Sequence, residues 1–286
     1  MYELTDPKII KYLCSKYRFV FSGSMGQNFI TDRTVPAIMA SEATKDSEGI
    51  IEIGPGFGSL TAPLASLAKK VVSIELDKRL EKVLSETLAG FDNVEILWQD
   101  FMKTDIQKLL DEKFGGMNVS VAANLPYYIT TPALMKLIEG RYKVKRIVVM
   151  VQKEVAERLC AQPGGKDYGA VTVTTEYFCD ARIIKYVPRE DFLPSPKVDS
   201  AVINLEIRSL PKVSPEDEKV FFSVVKAAFS QRRKTLANAL FSSGKFGSKE
   251  DIIKAIEKIG LISTVRGEKL SIEEFCELSN ILALNR

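Results

Sequence analysis

The sequence contains no histidine in its 286 residues. That absence excludes Ser-His-Asp and Cys-His catalysis and any metal site that depends on imidazole, so the chemistry needs no histidine base. Cysteine is scarce as well. Cys14, Cys160, Cys179 and Cys276 are scattered with no CxxC or paired spacing, which reads as reduced structural thiols and gives no metal site. No apolar run approaches the roughly 20 residues needed to span a bilayer. The start, Met1-Tyr-Glu-Leu-Thr-Asp6, lacks the basic-then-apolar order of a secretion signal, so a cytoplasmic protein without a membrane partner is expected. Internal repeats and low-complexity tracts are also missing. Net charge is only +3, so a nucleic-acid site has to come from clustered charge. The remaining composition, 45% hydrophobic and 27% charged, is that of a globular chain long enough for one sizeable core and a smaller second one.

The chain is organised around Val119-Ser-Val-Ala-Ala-Asn-Leu-Pro-Tyr-Tyr-Ile-Thr-Thr-Pro132. Val119 to Ala123 is small, apolar and β-branched and predicts a buried strand; Asn124 to Tyr128 predicts a loop, with Thr131 and Pro132 opening a helix. Asn124 carries an amide that both accepts and donates, Pro126 stiffens the backbone after Leu125, and Tyr127 offers a flat face with a polar tip. Such a set can hold the amino edge of a planar base; the plainer alternative is an ordinary Asn-x-Pro turn.

Earlier, Ile50-Ile-Glu-Ile-Gly-Pro-Gly-Phe-Gly-Ser-Leu-Thr61 runs from a hydrophobic strand through Gly54, Gly56 and Gly58 into a helix from Leu60 to Ala68. This turn is shared by dinucleotide-binding folds and by methyltransferases that use S-adenosylmethionine. The next two strands, Val71 to Glu75 and Val94 to Asp100, each end in an acid, suited to ribose hydroxyls and to an adenine amino group respectively. Three polar strand ends (Glu75, Asp100, Asn124) after one Gly-rich turn make a ligand site at the carboxyl edge of a sheet. Strands are predicted at 50–53, 71–75, 94–98, 119–123, 147–151, 182–187 and 200–207, alternating with helices, which gives an α/β, doubly wound, parallel sheet covered on both faces.

Elsewhere, Lys8, Lys11, Lys16 and Arg18 mark an N-terminal segment whose first dozen residues read as a solvated end rather than an arm over the ligand. Thr31 and Asp32 are expected to cap a helix through Ala43. Val187 to Asp199 carries three prolines, stiff enough to hold Phe192 in one place; the alternative is that Phe192 is a core residue. After a polar linker from Arg208 to Asp217 the chain reads helical, with a capping box at Ser271 and Glu274, a staple between Leu270 and Phe275, and an apolar stripe of Ile252, Ile256 and Ile259 ending at Gly260. Two domains follow, 1–207 and a small all-helical 208–286. The second contains Gln231-Arg-Arg-Lys-Thr235, four potential phosphate or base-edge contacts (Gln231, Arg232, Arg233, Lys234); the alternative is a solvated charged face.

Gly26-Gln-Asn-Phe29, Glu52-Ile-Gly-Pro-Gly56, Ile74-Glu-Leu-Asp77, Gln99-Asp100, Asn124-Leu-Pro-Tyr127, Gln152-Lys-Glu-Val155, Pro194 to Ala201 and Phe229 to Leu236 together resemble the bacterial small-subunit (16S) ribosomal RNA adenine N6,N6-dimethyltransferases, from about residue 17 to the C-terminus. One departure is Met25, where an aromatic residue or leucine often stands. The resemblance implies a seven-stranded Rossmann-like methyltransferase sheet with an antiparallel last strand. It further implies S-adenosylmethionine as cofactor, bound by Asn28, the Ile30 backbone, Gly54, Gly56, Glu75, Asp100 and Asn124, and a target adenine sandwiched between Tyr127 and Phe192. The implied reaction is dimethylation of two adjacent adenines in a hairpin loop near the 3′ end of 16S rRNA, within an immature 30S subunit, by a monomer. Three alternatives stay open from sequence: the related methylation of large-subunit RNA, a nonenzymatic assembly factor on the same fold, and a nicotinamide-dependent oxidoreductase, in which the Asn124 loop would have no task.

Overall fold

The computed structural model describes residues 2–21, 27–126 and 128–284, so Met25, Gly26 and Tyr127 lie outside the described residues. The chain divides into two compact units, 1–156 with 182–207 and 157–181 with 208–286.

In the first unit the strands are β1 (Phe29–Ile30), β2 (Gly49–Ile53), β3 (Lys70–Glu75), β4 (Val94–Trp98), β5 (Val119–Asn124), β6 (Val144–Gln152), β7 (Cys179–Val187, whose first residues belong to the second unit), β8 (Phe192–Leu193) and β9 (Ser200–Ile207). Among the described residues the main sheet has seven strands in the order β4-β3-β2-β5-β6-β9-β7. Strands β2 through β6 pair in parallel, and β9 runs antiparallel to β6, with Met150 opposite Val202. The antiparallel last strand is the arrangement expected of a methyltransferase sheet. The central strands are buried on both faces, which is why Ile50-Ile-Glu-Ile and Val119-Ser-Val-Ala-Ala read as near-continuous runs rather than as alternation. Strand order reverses between β2 and β5, and the crevice at the carboxyl ends of these strands is where an open α/β sheet binds ligands.

Helix α1 spans Pro7–Tyr17, α2 Thr34–Thr44, α3 Thr61–Leu67, α4 Glu81–Thr87, α5 Ile106–Phe114 and α6 Thr130–Glu139. One core cluster joins Val35, Met39 and Ala43 of α2 and Leu64 of α3 to Ile50, Val71, Ala122 and Val148 of the sheet. A second joins Ile10 and Leu13 of α1 to Phe19, Phe29, Phe57, Val83 and Leu84. The N-terminal segment is therefore not a solvated end. Its lysines face outward, but Ile10 and Leu13 are fully buried, and Glu86 of α4 accepts from Tyr2, Lys16 and Tyr17. Helix α6 begins at Thr130, one residue before the predicted cap, because the Pro126 carbonyl already accepts from Ile129 N–H and Thr130 Oγ1, both at 3.1 Å.

The second unit is helical: the end of α7 (Lys153–Leu159), then α8 (Ala170–Phe178), α9 (Glu218–Ser230), α10 (Leu236–Ser242), α11 (Lys249–Lys258) and α12 (Ile272–Leu284). It takes in 157–181 as well as the residues after 207 because Tyr177 and Phe178 of α8 pack their rings on Phe221 and Phe222 of α9, with centroids 4.8–5.9 Å apart across the group. The capping box forms as expected: Ser271 N–H donates to Glu274 Oε2 at 2.7 Å and Glu274 N–H to Ser271 Oγ at 3.2 Å, with Leu270 and Phe275 buried. Among the described residues, no helix is long and apolar enough to cross a membrane.

Candidate active site

The strand ends are held in register beyond the last residue of each strand. Gly54 N–H donates to the Ile74 carbonyl at 3.0 Å, Gln99 N–H to Glu75 at 2.9 Å and Leu125 N–H to Met150 at 3.2 Å. Because the sheet ladder continues into the loops, the polar groups on those loops are fixed relative to one another. They surround a cavity of about 240 Å³ bordered by Asn28, Gly54, Gly56, Glu75, Asp100, Asn124, Leu125, Pro126 and Phe192 among others.

Gly54 and Gly56 take positive φ, +70° and +57°, and a Cβ on Gly56 would come within 3.2 Å of the Phe29 ring. Both glycines border the cavity, and at these positive φ values an L side chain would strain the turn. Glu75, at the end of β3, accepts at Oε1 from Asp77 N–H at 2.7 Å and is nearly buried. Burial pushes its carboxyl up, with the backbone N–H groups of Asp77 and Gly56 opposing the shift. Asp100 holds its own loop through Met102 N–H at 2.8 Å. The same loop is caught from below by Lys136 of α6, whose ammonium donates to the carbonyls of Phe101, Met102 and Thr104 at 3.0, 2.9 and 2.7 Å. Since α6 begins directly after the Asn124 loop, one helix ties the two loops together.

Asn124 donates its Nδ2 to the Asn28 carbonyl at 3.4 Å. With the donor end so directed, Oδ1 is left to accept from a ligand. Asn28 is followed by β1, which pairs antiparallel with β8 so that Phe29 faces Leu193 and Ile30 faces Phe192, and Thr31 N–H adds a bond to Asp191 O at 2.7 Å. The segment carrying Asn28 and the loop carrying Phe192 are thus one two-stranded unit. Phe192 is 5% exposed within the main core cluster and also borders the cavity. Ile30, by contrast, does not border the cavity; it is core, with its strand pairing directed at Phe192. Tyr127 lies outside the described residues.

Several wall residues escaped the sequence reading, among them Leu76, Met102 and Tyr128. Leu76 directly follows Glu75, and Met102 lies two residues past Asp100, so each of these acids has an apolar neighbour on the cavity wall. Tyr128 has its phenol pushed up by burial and by the carboxylates of Asp100 and Glu75. Gln27 was read only as part of a motif, yet its Nε2 donates to Asp77 Oδ2 at 2.9 Å, and Arg79 grips the same carboxylate at 2.6 and 2.8 Å. Asp77 is held below its usual range by Arg79 in consequence.

Glu52, read in the sequence only as part of a motif, is a further case. It sits fully buried within β2, its Oε2 accepting from Thr61 Oγ1 at 2.7 Å and Ser73 Oγ at 2.6 Å, while Oε1 has no partner among the described residues. Burial pushes its carboxyl from 4.5 up to about 7. A folded pKa above the unfolded one gives stability that is complete below pH 4.5 and is lost as pH rises through about 7, a loss of about 3 kcal/mol. Glu52→Gln, neutral throughout, is expected to flatten that slope when denaturant midpoints are followed from about pH 5 to about pH 8. Parallel curves for the two proteins would rule out a charged, buried Glu52 as the source.

In the helical unit, Gln231, Arg232, Arg233 and Lys234 lie in the turn between α9 and α10. Arg232, Arg233 and Lys234 are all exposed, but Arg232 is committed locally, one guanidinium nitrogen donating to the carbonyls of Lys166 and Tyr168 at 2.7 and 2.8 Å. The four cysteines are free thiols, and no group of metal-ligating side chains is found among the described residues.

Residues 18–284 match the family model described as ribosomal RNA adenine dimethylase. The chain is 46% identical over 283 residues to the ribosomal RNA small subunit methyltransferase A of Clostridioides difficile, covering 99% of this chain and 98% of that one. It is also 46% identical to its counterpart of the same name in Geobacillus thermodenitrificans, with 98% and 97% covered. Among solved structures, a 23S rRNA methyltransferase, ErmE, superimposes with a TM-score of 0.69 at 26% identity over 89% of this chain and 99% of its own. A dimethyladenosine transferase from Plasmodium falciparum superimposes with a TM-score of 0.68 at 28% identity over 85% and 93%.

Proposed function

The chain belongs to the ribosomal RNA adenine dimethylase family, and from that membership and the strand-end cavity we propose that it transfers methyl groups from S-adenosylmethionine to N6 of two adjacent adenines near the 3′ end of small-subunit ribosomal RNA. The observation that carries the reading is the convergence of Glu75, Asp100 and Asn124, from the ends of three successive βα units, on one cavity also bordered by Gly54 and Gly56. The small-subunit substrate is favoured over the large-subunit one by the near full-length 46% identity to small-subunit enzymes, against 26% to the 23S enzyme.

The residues present fit S-adenosylmethionine: a buried carboxylate, Glu75, for the ribose hydroxyls, Asp100 for the adenine amino group, and apolar cover from Leu76 and Met102. When bound, this cofactor supplies a methyl group already activated on its sulfonium. The protein's remaining task lies with the acceptor, because the lone pair of adenine N6 is spread into the ring. Asn124 Oδ1 and the Leu125 carbonyl accept from the two N6 hydrogens, draw the nitrogen toward pyramidal geometry and free the lone pair. The proton becomes acidic only after alkylation and leaves to water, in keeping with a chain that has no histidine. The target base must be flipped or already unpaired, with Phe192 and Tyr127 on its two faces, and stacking of this kind is worth about 1–3 kcal/mol per base. Arg233 and Lys234 supply phosphate contacts from the helical unit, with Gln231 and the remaining edge of Arg232 beside them. The enzyme acts as a monomer in the cytoplasm, on immature small subunits.

Mass spectrometry of small-subunit ribosomal RNA tests this reading. Cells lacking the chain are expected to lose dimethyladenine at two adjacent positions and to regain it when the chain is restored; full dimethylation in its absence would refute the assignment.

A further inference from the structure

The proposed transfer to RNA is the premise here, and the inference concerns the nucleotide beside the flipped adenine. Gln152-Lys-Glu-Val155 has no task in the site described above. Met150 of β6 is the register partner of Asn124, and Gln152 faces Ser200 of β9. Lys153 follows at the start of α7, three residues past the partner of Asn124, about 10 Å at strand rise. Its backbone N–H donates to Asp199 O at 3.0 Å, and Asp199 Oδ1 accepts from Arg189 N–H at 3.2 Å. Both ends of the loop that holds Phe192 are thereby fastened to the start of α7.

The Lys153 ammonium rests over the Tyr186 ring, 5.4 Å from its centroid. Tyr186 precedes Val187, which shares the buried cluster of Phe192, yet Tyr186 itself is 51% exposed on the edge strand β7. Lys153 is exposed, and among the described residues it is not paired with a carboxylate. A solvated phenol ring with an unpaired ammonium on it, at the foot of the base-holding loop, offers the two things a single RNA strand can use at once: a face for a base and a charge for a phosphate. We propose that Tyr186 and Lys153 form a platform on which the nucleotide adjacent to the target adenine lands, its base on Tyr186 and its phosphate on Lys153. For a substrate of two adjacent adenines, this platform holds one while the other is in the Asn124 loop.

The test compares wild type with Tyr186→Ala, Tyr186→Phe and Lys153→Gln on undimethylated small subunits, reading KM for the RNA, the salt dependence of binding and the dissociation constant of S-adenosylmethionine. Tyr186→Ala is expected to raise the RNA KM about fivefold or more, and Tyr186→Phe, which keeps the ring, to recover most of it. Lys153→Gln is expected to lower the slope of log affinity against log salt by about one phosphate contact. Cofactor affinity should move less than about twofold in all three, as none of them borders the cofactor cavity. The platform is overturned if Tyr186→Ala leaves the RNA KM unchanged, or if its loss is matched by an equal loss of cofactor affinity, which would mean a loosened Phe192 loop. Wild type that transfers nothing to RNA would overturn the proposed function, and the platform with it.

Discussion

Asn124→Ala is expected to lose methyl transfer by about a hundredfold to a thousandfold while the protein still folds and binds S-adenosylmethionine within a few fold of wild type. The size of the effect follows from the acceptor chemistry. Adenine N6 gains nucleophilicity only when its hydrogens are drawn out of the ring plane, and in the proposed mechanism Asn124 provides one of the two acceptors from a fixed position. That position is built by the β5 register, by the Leu125 N–H bond to Met150 and by the Asn124 Nδ2 bond to Asn28. Removing the amide leaves the ladder intact, so the loss should appear in kcat at saturating RNA and cofactor rather than in the melting temperature. Single-turnover transfer with each substrate saturating is the measurement, and near-normal transfer by the variant would remove Asn124 from the mechanism.

Glu75→Ala should act on the other side of the reaction, raising the dissociation constant of S-adenosylmethionine about tenfold to a hundredfold, the value of charge-assisted hydrogen bonds to a pair of hydroxyls. Because Glu75 also accepts from Asp77 N–H, Glu75→Gln serves as the companion: it keeps an acceptor for that N–H and removes the charge. Calorimetric titration of both variants distinguishes the two contributions. An unchanged cofactor affinity in Glu75→Ala would count against a ribose contact at this residue.

The sheet was legible because its central strands are buried on both faces and announce themselves as short apolar runs, punctuated by glycine after β2, by acids at or after β3 and β4, and by the Asn124 amide at the end of β5. The same punctuation marked the polar strand ends, and these the fold brings to one cavity. What stayed hidden were links between distant positions. Nothing in the sequence near Lys136 says that its ammonium ends on three carbonyls of the Asp100 loop, and a glutamate inside a strand gives no sign that Ser73 and Thr61 receive it. The first dozen residues read as solvated because Lys8 and Lys11 are conspicuous there, whereas Ile10, together with Leu13 just beyond, fixes α1 in the core. Residues 157–181 read as part of the first unit because they lie between two of its strands; ring packing of Tyr177 and Phe178 on α9 groups them elsewhere. Arg232 shows the same limit in a charged run, where one of two adjacent arginines is engaged in holding a loop.

The most direct measurement is transfer of labelled methyl groups from S-adenosylmethionine to purified small ribosomal subunits that lack the modification, run beside large subunits and a short DNA duplex. Label recovered as dimethyladenine in the small-subunit RNA alone is the predicted result. Label in the large subunit instead, or none in any substrate despite measurable binding of cofactor and subunit, would contradict it.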